Sequence, residues 1–84
     1  MTSVHLRFFA SARAAAGTDG QRVELWAGAT IQDALELVAA APGQPIDRVL
    51  ARCSFLVNTV ATTDRATALS DGDTVDVMPP FAGG

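Results

Sequence analysis

The chain has 84 residues, room for one domain, and 49% hydrophobic against 18% charged residues gives it a packed core and excludes a disordered chain. Six arginines, no lysine and nine acidic residues leave a net charge of -3 without a basic stripe, which argues against a nucleic-acid partner. Without lysine the chain can neither accept an isopeptide bond nor form a Schiff base on such a side chain, and the single Cys53 cannot form an internal disulfide.

From Met1 to Gly17 there are two arginines and no long apolar run, so neither a signal peptide nor a membrane span is expected. A cytoplasmic protein is the simplest expectation. Ser3 to Phe9 has the period of two of a half-buried strand, with Val4, Leu6 and Phe8 on one side. The alanine-rich run Phe9–Ala16 favours a short helical turn that stops at Gly17. Thr18-Asp19-Gly20 has loop chemistry, and Gln21 to Trp26 alternates again, with Val23 and Leu25 on one side.

Thr30 opens a helix, with Asp33 three residues on as a capping box in its weaker Asp form. Ile31, Ala34, Leu35 and Val38 mark one helical face, and Pro42-Gly43 ends it. Ile46, Val49 and Leu50 suggest a second short helical segment within 45–52. Ser54 to Asn58 is expected as a strand, Asn58-Thr59 as a turn, and Val60 to Thr62 as a short edge strand. Ala68 to Asp73 supplies another turn, and Thr74 to Met78 the last strand, with Val75 and Val77 inward. One main helix and about five strands must share a core, which is an α+β arrangement of the β-grasp kind: a mixed sheet with the helix across one face.

Pro79-Pro80-Phe81-Ala82-Gly83-Gly84 follows that strand directly. Two prolines remove backbone donors and forbid further pairing. The six residues, read as a flexible arm, reach about 20 Å when extended. Such an arm can thread a narrow channel and present the Gly84 carboxylate, since glycine places no Cβ beside the carbonyl and accepts any φ the channel demands. A carboxylate is a poor electrophile, so its carbonyl must be activated before a nucleophile can attack it. The plain alternative for Gly-Gly is a frayed end.

With Leu6-Arg7-Phe8-Phe9-Ala10 leading to Gly17, Val57-Asn58, Ser70-Asp71-Gly72-Asp73 and Met78 through Gly84, the chain resembles the MoaD/ThiS sulfur-carrier family over nearly its whole length. Its greatest similarity is to the branch of molybdopterin synthase small subunits. One departure is 59–68, which lacks the Gly-Glu or similar pair often found after Val-Asn, so the edge hairpin is expected to differ locally.

The resemblance implies a ubiquitin-like fold and a carrier with no activity of its own. A ubiquitin-activating-like adenylyltransferase would adenylate Gly84 with ATP and magnesium, and a sulfurtransferase would exchange AMP for sulfur, leaving a thiocarboxylate. The arm, with Gly83 as its penultimate residue, would then enter the large synthase subunit, two of each subunit forming the working enzyme. There the sulfur would pass to cyclic pyranopterin monophosphate. Thiamine, cysteine or tRNA thiolation, lysine conjugation to targets, or a plain interaction module are the competing readings.

Because a strand alternates sides, the neighbours of Phe8, Val57 and Val77 point away from the helix. Phe9, Leu56 and Met78 are therefore expected on the open face as a docking cluster, continued by Pro79, Pro80, Phe81 and Ala82, with Phe81 at the channel mouth. Cover by a loop is the alternative. Arg13 matches a basic position of the family's first helical turn, and either pairs with an acidic partner or is merely solvated. His5 has no companion ligands, so no metal site is expected. Cys53 reads as a small buried apolar residue rather than a persulfide carrier, and Asp71 and Asp73 as turn residues.

Overall fold

The computed structural model describes residues 1–39 and 52–80. The expected helix stop at Pro42-Gly43, the segment containing Ile46, Val49 and Leu50, and the end of the arm from Phe81 to Gly84 lie outside these residues.

Strand β1 (Thr2–Phe8) buries Val4, Leu6 and Phe8 on one side and exposes His5 and Arg7 on the other, as its alternating pattern dictates. Helix α1 (Ala10–Ala16) closes on Gly17, whose φ of 76° lets its N–H reach the Arg13 carbonyl at 2.9 Å. Strand β2 (Gly20–Leu25) turns Val23 and Leu25 inward.

Helix α2 (Ile31–Ala39) shows why the sequence around Thr30 must be helical. The Asp33 carboxylate accepts from the Thr30 N–H at 2.8 Å, and the Thr30 hydroxyl accepts from the Asp33 N–H at 3.3 Å, a complete reciprocal box. The remaining first-turn donors are met from the loop after the fourth strand: Ile31 N–H reaches the Thr67 carbonyl and Gln32 N–H the Arg65 carbonyl, each at 3.0 Å. Ile31, Ala34, Leu35 and Val38 are buried; Glu36 and Leu37 face solvent.

Strands β3 (Ser54–Val57), β4 (Val60–Thr62) and β5 (Thr74–Met78) complete a five-stranded sheet of order β2-β1-β5-β3-β4. The β1–β5 pair is parallel and the others antiparallel. This mixed sheet with helices is the expected β-grasp. Phe55, Val75 and Val77 join Phe8, Leu6 and Ile31 in one core, each apolar side chain of that size contributing about 1.5–3 kcal/mol. The hairpin between β3 and β4 forms without the Gly-Glu pair: Asn58 and Thr59 take φ of 48° and 74°, the left-handed positions of a two-residue turn.

Candidate functional site

The parallel register sets Phe8 against Val77, so Phe9 and Met78 follow at the same level of the two central strands. Across the antiparallel pair Met78 faces Ser54, whose hydroxyl donates to the Met78 carbonyl at 3.4 Å, and Leu56 faces Asp76. Phe9, Leu56 and Met78 thus share the end of the open face from which Pro79 and Pro80 depart. They are half-buried rather than fully exposed, as is Pro79, while Pro80 is exposed. Among the described residues, the large apolar side chains that stand out in solvent are elsewhere: Met1, Trp26, Leu37 and Val60.

A polar strut accounts for part of that cover. The Arg7 guanidinium lies 5.2 Å from the centre of the Phe9 ring, while its Nε approaches Asp76 Oδ1 at 3.4 Å. That oxygen is buried and makes no hydrogen bond in the structure, so the ion pair with Arg7 is what offsets its desolvation. Just beyond, Ala10 has a φ of 50°, a left-handed position that costs an alanine roughly 1–2 kcal/mol. It turns the chain sharply into α1 behind Phe9, whose carbonyl accepts from Ala12 and Arg13 N–H groups. Arg13 itself is exposed on α1 and reaches Asp19 at 3.6 Å.

The opposite end of the face is a locked turn. Asn58 donates from Nδ2 to Asp73 Oδ1 at 2.8 Å, its Oδ1 accepts from Thr74 N–H at 3.0 Å, and its own N–H donates to the Thr74 carbonyl at 2.9 Å. Asp73 Oδ2 accepts from Ser70 N–H, and Asp71 Oδ1 from Ser3 N–H. The motifs Val57-Asn58 and Ser70-Asp71-Gly72-Asp73 are therefore one structural unit that holds β5 against β1 and β3. Asp71 and Asp73 act as turn residues, and with Ser3, His5 and Arg22 they border a shallow groove of about 240 Å³.

His5 is exposed on β1, and no group of three potential metal ligands occurs among the described residues. Cys53 is 8% exposed, and burial pushes its thiol pKa up against a smaller opposing pull from Arg65. Arg65 spans from the Phe55 ring, 5.4 Å away, to Gln32 Oε1 at 3.4 Å, fastening the β4–β5 connection over α2. Among the described residues no helix is long and apolar enough to cross a membrane.

Sequence reasoning missed the Arg7–Asp76 strut and the strained Ala10. The opposite charges of Arg7 and Asp76 were the available signal, but only the strand register makes them neighbours.

The ThiS family model matches residues 6–84. The chain is 38% identical over 84 residues to the molybdopterin synthase sulfur carrier subunit of Chlamydomonas reinhardtii, covering 96% of this chain and 98% of that protein. Among solved structures it is similar to small archaeal modifier protein 1 of Haloferax volcanii, at a TM-score of 0.81 and 26% identity over 96% of this chain and all of that one. It also shares the fold of a chain in the complex of subunits 1 and 2 of the molybdopterin-converting factor of Helicobacter pylori, at a TM-score of 0.72 and 20% identity, covering 99% of this chain and 100% of that chain.

Proposed function

The chain belongs to the ThiS family, and on that premise we propose that it is a sulfur carrier supplying molybdopterin synthase, with the carboxyl group of Gly84 as its working group. The observation that carries this reading is the extent of the family match, which runs through residue 84 and so takes in the whole Pro-Pro-Phe-Ala-Gly-Gly arm. The 38% identity to a molybdopterin synthase sulfur carrier subunit supports that branch.

In this mechanism an activating enzyme binds the domain and receives the arm. The Gly84 carboxylate attacks the α-phosphorus of magnesium-bound ATP, forming the acyl-adenylate and releasing pyrophosphate. Hydrosulfide, released from the persulfide of a sulfurtransferase by a thiol reductant, then attacks the acyl carbon and displaces AMP, leaving the thiocarboxylate. The charged arm next enters the large synthase subunit, where sulfur passes to cyclic pyranopterin monophosphate and water restores the carboxylate. The folded domain contributes position: β5 is clamped on both sides by β1 and β3, so the arm leaves from a rigid strand beside Phe9, Leu56 and Met78. These residues, with Pro79 to Ala82, form the docking surface in this reading, and Gly83 lets the arm pass a narrow channel.

The test is intact mass after incubation with the activating enzyme, ATP, magnesium and a sulfur donor. One terminal oxygen should be replaced by sulfur, and the product should thiolate the pterin when the large subunit is added. An unchanged mass, under conditions that charge an established carrier, overturns the proposal. Likeness to a small archaeal modifier favours a second reading, conjugation of Gly84 to lysines of other proteins through the same acyl-adenylate. Covalent adducts that disappear on deletion of Gly83-Gly84 would distinguish it.

A further inference from the structure

Among the described residues, strand β2 is the last strand on its side of the sheet. Its ladder to β1 can be counted from the bond of Phe8 N–H to the Asp19 carbonyl at 2.8 Å. With Thr2 opposite Leu25 and Val4 opposite Val23, residues 21, 23 and 25 turn their backbone groups toward β1. Gly20, Arg22 and Glu24 turn theirs outward. Gly20 is already served locally, since its carbonyl accepts from the Thr18 hydroxyl at 3.0 Å and its N–H donates to the same oxygen at 3.4 Å. The open edge is therefore the stretch from Arg22 to Glu24. It holds no proline, lysine or bulge, the usual devices that prevent a sheet edge from pairing.

Arg22 and Glu24 are both exposed on the open face, two residues apart and opposite in sign. Around a two-fold axis at Val23, an antiparallel second copy brings its Glu24 against Arg22 and its Arg22 against Glu24. Both contacts are hydrogen-bonded positions of the new ladder, so backbone pairing and charge pairing coincide in one register. A one-residue slip breaks the backbone match, and a two-residue slip loses both charge pairs and sets Arg22 opposite Arg22 or Glu24 opposite Glu24. In the matched register Trp26, 57% exposed and the only tryptophan, comes level with the second copy's Gly20, a position with no side chain of its own. We propose that β2 is a homotypic docking edge through which two copies join their sheets, with Arg22 and Glu24 setting the register. The contact is small, so the association is weak and concentration-dependent. It leaves the Phe9, Leu56 and Met78 end free on both copies, because that end lies on β1, β3 and β5.

The experiment is sedimentation velocity from roughly 10 μM to roughly 1 mM, the range in which small interfaces associate. Wild-type protein should move from one chain mass toward two, with Trp26 emission shifting to the blue over the same range. R22E and E24R each place like charges opposite one another and should raise the dissociation constant at least about tenfold. Mixing R22E with E24R should restore dimers, because one copy then carries two acidic and the other two basic residues. The R22E/E24R double variant should dimerise alone. Circular dichroism of every variant checks the fold. A wild type that stays monomeric throughout, single variants that associate like wild type, or mixtures that fail to pair each overturn the proposal.

Discussion

Asn58 is the residue on which the end of the sheet turns, and its replacement by alanine tests that claim quantitatively. The substitution removes the bond to the Asp73 carboxylate and the bond accepted from Thr74 N–H. Both are exposed, so each is discounted to about 0.5–1 kcal/mol from the usual net range. Alanine must also hold the φ of 48° that asparagine tolerates, at roughly 1–2 kcal/mol. The sum is about 2–4 kcal/mol, which for a domain of this size lowers Tm by roughly 8–32 °C. Thermal and urea unfolding followed by circular dichroism measure it. Asn58→Gly loses the same side-chain bonds but adopts the left-handed turn freely, so it should recover about 1 kcal/mol relative to alanine. If Asn58→Ala melts within about 4 °C of wild type, a shift worth no more than about 1 kcal/mol, the locked turn is not holding β5. A glycine variant no more stable than alanine would show that backbone conformation plays no part.

Met78→Asp should keep the fold, since Met78 lies on the open face, yet weaken binding to the large synthase subunit at least about tenfold, or about 1.4 kcal/mol, by burying a carboxylate beside Asp76. Unchanged affinity in a titration would remove Met78 from the docking surface. Cys53→Ser should still be charged and discharge sulfur, and loss of transfer with an intact spectrum would give the thiol a chemical part. The folded state holds that thiol protonated above its ordinary value of 9.0, so stability is unaffected below about pH 9 and falls as pH rises beyond it. Alkylation of the native protein near neutral pH should accordingly be slow, and modification as fast as in urea would contradict the buried placement.

Most of the architecture was legible because short-range chemistry announces it. The alternation of Val4, Leu6 and Phe8, the face of Ile31, Ala34, Leu35 and Val38, and the Thr30/Asp33 box each depend on neighbours within one strand or turn. Placing Phe9 level with Met78 needed only one further step, the parallel pairing of first and last strands. What stayed hidden depends on distant partners. Asp76 is followed in the sequence only by apolar residues, and its ion pair with Arg7 exists because the register aligns them. The half-burial of Phe9 follows in part from that strut, so alternation alone made it too exposed. Ala10 gave no signal, since alanine ordinarily avoids the left-handed region and only the demand for a tight exit from β1 places it there. The loop carbonyls that cap α2 were equally unreadable, because no side chain marks them.

The middle of the sheet is built from the two strands farthest apart in the chain. Without β5, β1–β2 and β3–β4 are two separate hairpins, and a lone hairpin is marginal in water. During synthesis the domain therefore cannot close until residue 78 has cleared the ribosome, and such long-range closure is slow compared with local pairing. A product cut short before that point exposes Phe8, Phe55 and Ile31 to chaperones and proteases instead of presenting a dockable surface.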